Sequence, residues 1–199
     1  MYWTDEGYLL SKNNFDENSI IIEAFTLNHG KYTGIVYGGS SRKQKRNFQI
    51  GNKILLNWKS KGENRSGYFN VELIKPISPM FFDDKKKVIC ILSAASILKI
   101  LLPERQINKK IYHSFEKMFD ELNLPNWIKL YIYWEISLIK ELGFEIDSLK
   151  TEDLKKKIDN KKIKAALIFS KNLLMENFII PNRLQLPLFR NILENYYTN

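Results

Sequence analysis

Eight of the nine glycines in this 199-residue chain fall within its first 67 residues, at Gly7, Gly30, Gly34, Gly38, Gly39, Gly51, Gly62 and Gly67, and only Gly143 lies beyond. Glycine adopts the backbone angles that tight turns demand, so turns crowd the first third of the chain. Between them sit short runs rich in β-branched and aromatic residues: Tyr8–Leu10, Ser19–Thr26, Tyr32–Tyr37, Lys53–Lys59 and Tyr68–Ile74. Five such runs are too few for two packed sheets. They suit a small closed barrel of the OB or SH3 type, which leaves no sheet edge unpaired.

Pro76 and Pro79 end that pattern, and beyond Asp84 the apolar period becomes helical. Val88–Leu102 is short of a membrane span and contains Lys99, so it reads as a buried helix. Ile107, Ile111, Phe115, Met118, Phe119 and Leu122 line one helical face. Trp127, Tyr131, Trp134 and Leu138 line another, opened by Pro125 and closed by Gly143 as a left-handed cap. Thr151 before Glu152 and Asp153 predicts a further helix start, and Lys161–Asn177 and Leu188–Tyr197 are two more amphipathic segments. The expected fold is α+β and multidomain: a five-stranded β-barrel of the OB or SH3 type over residues 1–79, then an all-α domain over 80–199. No repeat of solenoid length interrupts either half.

Several chemistries find no support. A single cysteine, Cys90, rules out an internal disulfide framework and fits a reducing, cytoplasmic setting. The opening MYWTDEGYLL has no basic n-region and apolar run, so neither secretion nor membrane attachment is expected. His29 and His113 lack neighbours at metal-ligand spacing, so no metal and no cofactor is predicted. No phosphate-binding glycine loop occurs. Asp83 with Asp84, or Glu152 with Asp153, are the acidic pairs that a magnesium-dependent nuclease would use, but adjacent acids more commonly start helices or turns.

The charge distribution is more informative. The chain carries 31 Lys and Arg against 22 Asp and Glu, a net of +9, which favours an anionic partner. Between Arg42 and Arg65 lie Arg42, Lys43, Lys45, Arg46, Lys53, Lys59, Lys61 and Arg65 against Glu63 alone. Tyr37, Phe48 and Trp58 are interleaved with them. Cations for phosphates and rings for bases are the two components of single-strand binding, so the eight cations are candidate phosphate contacts, with Tyr37 and Trp58 as candidate stacking platforms. Phe48 and Trp58 could equally face the core, and a charge run can be merely a solvated surface. A second run, Lys155, Lys156, Lys157, Lys161, Lys162 and Lys164, is diluted by Glu152, Asp153 and Asp159 and reads as a solvated face.

Two stretches carry a resemblance. WTDEGYLLSKNNFDENSIIIEAFTLNHGKYTGIVYGGSSRK followed by QIGNKILLNWKSK resembles the N-terminal OB domain of the bacterial RecO DNA-repair family. The correspondence includes Asp5, Glu6 and Gly7, Glu17, Phe25 and Thr26, His29 and Gly30, Gly34, Gly38, and the basic Arg42 and Lys43. In the helical half YWEISLIKELGFEID is similar to the family's most recognisable helix through Glu135, Leu138, Glu141, Leu142, Gly143 and Phe144, and PNRLQLPLF is similar to its proline-bearing tail. Many relatives carry a cysteine-containing, zinc-binding insertion after that helix; here Lys150–Lys164 replaces it with no cysteine, so zinc is not carried over.

The resemblance implies a non-enzymatic recombination mediator, cytoplasmic and nucleoid-associated. Such a protein binds single- and double-stranded DNA and anneals complementary strands. With RecR it helps RecA load on DNA coated by single-stranded DNA-binding protein, whose C-terminal tail docks on the helical domain. An OB-fold RNA-binding protein is the alternative, since barrel and charge do not separate RNA from DNA.

Overall fold

The computed structural model describes residues 1–41, 44, 46–60, 62, 67–144 and 160–197. Their contacts divide the chain into two compact units, Met1–Tyr112 and His113–Asn199.

In the first unit five strands close into a barrel: β1 (Tyr2–Asn14), β2 (Ser19–Thr26), β3 (Gly30–Tyr37), β4 (Lys53–Lys59) and β5 (Gly67–Lys75). They run in the order β1-β2-β3-β5-β4, with β4 returning to β1. All pairs are antiparallel except β3 with β5, which meet in parallel at Gly34–Gly67 and Ile35–Tyr68. This is the OB arrangement, one of the two barrel types the glycine pattern suits and the one the family resemblance implies.

β1 is much longer than its apolar run Tyr8–Leu10. Residues Tyr2 to Tyr8 pair with β4, and Gly7 to Asn14 pair with β2, with a register shift between Leu9 and Ser11. Asp5, Glu6 and Gly7, which have poor strand propensity, lie inside it because the buried Asp5 carboxylate is fully satisfied. It accepts from the Glu6 N–H at 2.9 Å, the Asn28 N–H at 2.7 Å, Asn28 Nδ2 at 3.0 Å and His29 Nδ1 at 2.8 Å. The His29 ring also stacks on Trp3, centroids 4.1 Å apart at 9°. Asp5 and His29 thus tie the start of the barrel to the β2–β3 turn, and the motif residues that carry the family resemblance here are structural. Gly7 is required by contact, since a Cβ there would stand 2.7 Å from the Phe25 carbonyl oxygen.

Alternate residues fill the barrel: Trp3 and Leu9, Ile20, Ile22 and Ala24, Tyr32 and Val36, Ile54, Leu56 and Trp58, Phe69 and Val71. Phe48, from the β3–β4 connection, joins this core at 1% exposure. The connection then rejoins β1, with the Gly51 N–H donating to the Leu9 carbonyl and the Leu9 N–H to the Asn52 carbonyl. Helix α1 (Lys85–Leu101), capped by the Asp84 carboxylate, packs against β1 within this unit.

The second unit contains most of α2 (Lys109–Asp120), then α3 (Trp127–Glu141), α4 (Asn160–Leu174), running on into a π-helical turn at Met175–Ile179, and α5 (Leu188–Asn195). Gly143 closes α3 at φ +99°, as its position in the sequence predicts. The expected helix start at Thr151, together with Lys155, Lys156 and Lys157, lies outside the described residues.

A buried ion cluster holds α3, α4 and α5 together. Arg190 of α5 is fully buried, as is Glu135 of α3, and the two meet through Nε–Oε1 at 2.6 Å and Nη2–Oε2 at 3.1 Å. Arg190 Nη2 also donates to the Leu167 carbonyl of α4 at 2.6 Å, and the Ser170 and Tyr131 hydroxyls donate to Glu135 at 2.5 and 3.0 Å. Burial alone lowers the pKa of the guanidinium. The charges of Glu135, Tyr131 and Glu194 outweigh that effect and hold it above the ordinary arginine value, so the cation is retained.

Candidate nucleic-acid interface

The sequence places its candidate cations in the β3–β4 connection, along β4 and in the β4–β5 connection. Arg42, Lys43, Lys45, Lys61 and Arg65 lie outside the described residues. Arg46 is exposed in the β3–β4 connection. Lys53 and Lys59 stand at opposite ends of β4, about 20 Å apart at the usual rise per residue.

These two lysines differ in kind. Lys53 Nζ is 2.8 Å from Glu6 Oε1 and 5.8 Å from the Tyr8 ring centroid, on a half-buried stem. Its charge is already answered by a carboxylate, which makes it a poor phosphate contact. Lys59 is exposed, and its ammonium lies 5.7 Å from the centroid of the Tyr2 ring.

The two candidate rings also separate. Tyr37, at the end of β3, is 65% exposed and leans on Tyr68 of β5, centroids 5.8 Å apart. Trp58 does not present a stacking face. It is 2% exposed inside the barrel, packed against Trp3, Tyr32 and Phe69. Its indole occupies space left by two glycines that pair across the parallel seam. A Cβ on Gly67 would stand 2.2 Å from Trp58 Cζ2, and one on Gly34 2.6 Å from Trp58 Cζ3. Phe48 is likewise a core residue.

Strand parity was the available signal for Trp58. Ile54, Leu56 and Trp58 alternate with Lys53, Leu55, Asn57 and Lys59, so the tryptophan shares the apolar face. The same parity turns Tyr2, Thr4, Asn57, Lys59, Tyr68 and Asn70 outward, and of these the sequence reading singled out only Lys59.

An open hollow of about 740 Å³ lies between the β1–β2 turn and the β3–β4 connection, lined among others by Lys12, Asp16, Glu17, Gly39 and Phe48. Among the described lining residues two carboxylates stand beside one lysine. Among the described residues no group of three or more His, Cys, Asp or Glu is placed to hold a metal ion, and no helix is long and apolar enough to cross a membrane.

A closed OB barrel followed by a helical unit, with a strongly cationic sequence in and around the barrel's connections, defines an OB-fold protein built on a two-part plan. Comparison with known proteins resolves the family. Residues 1–77 match the model described as "Recombination protein O N terminal", and residues 83–168 match "Recombination protein O C terminal". The proteins named DNA repair protein RecO from Cereibacter sphaeroides, Hyphomonas neptunium and a Wolbachia strain are 35%, 33% and 34% identical over 147, 150 and 152 residues. Those alignments cover 74%, 74% and 75% of this chain, and 61%, 62% and 62% of the relatives. The chain belongs to the RecO family, and its match spans about three fifths of the length of these relatives.

Proposed function

We propose that this chain is a DNA-repair and recombination mediator that binds single- and double-stranded DNA and anneals complementary strands. Acting with RecR, it helps RecA load on DNA coated by single-stranded DNA-binding protein. The observation that carries the reading is a five-stranded barrel whose connections hold the densest cationic stretch of a +9 chain, in a sequence matched to both halves of Recombination protein O.

The physical core is simple. Two strands repel through their phosphates; a cationic surface lowers that repulsion and raises their local concentration, and base pairing supplies the specificity. No bond to DNA need be made or broken, so the protein acts as a mediator and not as an enzyme. Arg42, Lys43, Lys45, Arg46, Lys59, Lys61 and Arg65 are the proposed phosphate contacts. With roughly six of them engaged, affinity for single strands falls with salt at a log–log slope of about −4. Residues 1–79 serve as the DNA-binding module. Residues 80–199 dock the C-terminal tail of single-stranded DNA-binding protein, and the site of action is the nucleoid.

The test is annealing of complementary strands coated with single-stranded DNA-binding protein, by the purified chain with and without RecR. Annealing that the chain accelerates supports the proposal, and strands that remain apart refute it. Reversal of Arg42, Lys43, Lys45 and Arg46 to glutamate should abolish binding at low salt; unchanged affinity would remove them from the site. A matched RNA competitor that displaces DNA at lower concentration would point to RNA as the substrate.

A further inference from the structure

The outward face of β2 and β3, where OB barrels usually hold oligonucleotides, is covered at its Glu23 and Gly30–Thr33 end by the first unit's own chain. Lys99 of α1 pairs with Glu23 of β2 at 3.0 Å, and Lys31 Nζ donates to the Lys99 carbonyl at 2.7 Å. The Thr33 hydroxyl donates to Glu104 at 2.8 Å, and the Arg105 N–H to the Lys31 carbonyl at 2.8 Å. A Cβ on Gly30, which sits at φ +76°, would stand 2.2 Å from the Gln106 carbonyl oxygen, so the segment lies directly on the strand. A nucleic acid laid here would have to displace all of these contacts.

The barrel wall of β1, β4 and β5 carries a different surface. Tyr2 is the cross-strand partner of Lys59, and Lys59 is the partner of Tyr68, so the three form one rung. All point outward, with Tyr2 62% and Tyr68 41% exposed, and Tyr37 extends the row from β3. The next rung is polar and uncharged: Thr4, Asn57 and Asn70, with the Thr4 hydroxyl donating to Asn57 Oδ1 at 2.7 Å. Among the described outward residues of these three strands, carboxylates appear only beyond it, at Glu6 and Glu72. Tyr2 and Tyr68 are separated by two strand spacings, about 10 Å, and Tyr68 and Tyr37 by 5.8 Å. These separations correspond to roughly two or three base steps of about 3.4 Å.

We propose that Tyr2, Tyr68 and Tyr37, with Lys59 between them, form a row on which bases of single-stranded DNA two or three nucleotides apart stack, an alternative to the partly covered β2–β3 face. The inference rests on the DNA-binding reading above and adds the place and mode of contact. Charge selects the occupant: the row has a lysine at its centre, amides beside it and no carboxylate in its own rung, within a cationic chain.

Fluorescence anisotropy of the full chain with labelled oligo-dT, an abasic strand of equal length and a duplex tests it. Tyr68→Ala, Tyr37→Ala and Tyr2→Ala should each weaken oligo-dT binding roughly 5- to 150-fold. Affinity for the abasic strand and the duplex should stay within about twofold, since neither offers an unstacked base. Tyr68→Phe, which keeps the ring, should bind like the parent, and Lys59→Gln should make the salt slope shallower by about 0.7.

The proposal is overturned if the alanine variants bind oligo-dT as the parent does, or lose abasic and oligo-dT strands alike. It also falls if sedimentation shows that the parent self-associates, the alanine variants do not, and their oligo-dT affinity is unchanged; the row is then an interface between copies. A parent chain that binds no strand at low salt would instead remove the DNA-binding reading itself.

Discussion

Removing the guanidinium of Arg190 should destabilise the helical unit more than any surface change. The side chain is fully buried, bonded twice to an equally buried Glu135 at 2.6 and 3.1 Å, and bridges α5 to α4 through the Leu167 carbonyl. Arg190→Met leaves the Glu135 carboxylate in an apolar interior with only the Ser170 and Tyr131 hydroxyls as partners. Breaking a buried pair from one side typically costs about 3–5 kcal/mol. For a unit of this size each kcal/mol moves Tm by about 4–8 °C, so the shift should be at least about 12 °C. The double variant Glu135→Leu with Arg190→Met removes both charges and should recover most of the loss, since paired apolar replacements are often neutral or better. Hydrogen exchange followed by mass spectrometry is the suitable assay, because it reports α3–α5 separately from the barrel. The reasoning is refuted if Arg190→Met loses less than about 1 kcal/mol of protection, or if the double variant is no more stable than the single one.

Gly67→Ala should destabilise the barrel by about 1–3 kcal/mol in urea unfolding, because the new methyl would meet the Trp58 ring 2.2 Å away; a neutral outcome would place Trp58 elsewhere. Lys53→Gln should leave the salt slope of DNA binding unchanged while Lys59→Gln reduces it by about 0.7, since Lys53 is engaged with Glu6 at 2.8 Å. The Asp16 carboxylate accepts from the backbone N–H of Asn18 and Ser19, which lowers its pKa below the ordinary 3.8. Its contribution is therefore full above the unfolded value and fades as pH falls through the lowered folded one. A carboxyl titration by NMR should find Asp16 depressed, and Asp16→Asn should remove that part of the acid dependence.

The barrel was legible because its turns are written in glycine and its strands in β-branched residues, both local signals. The sequence pattern shows only the Tyr8–Leu10 part of β1, because Asp5 is a poor strand former until Asn28 and His29, more than twenty positions away, supply its partners. Glu135 could be read as a motif residue but not as half of an ion pair, since Arg190 lies 55 residues downstream. Glu135 stands between Trp134 and Ile136 among the buried residues of its helix, and a carboxylate so placed requires a partner.

The candidate site divides along the same line. A run of cations is visible in any sequence, but whether each is available depends on its cross-strand neighbours: Lys53 faces Glu6 and Lys59 faces Tyr2, at two ends of one strand. Trp58 and Lys59 are adjacent in sequence, and the pleat sends one into the core and the other to the surface. Burying the tryptophan required glycine at both Gly34 and Gly67, since any side chain there would collide with the indole. The glycine at Gly67 ends in turn at Tyr68, whose outward ring completes the row with Tyr2 and Lys59. The packing that withdraws one aromatic from solvent therefore fixes the register in which the exposed ones line up, and a one-residue slip of β4 would put Lys59 inside and Trp58 on the surface.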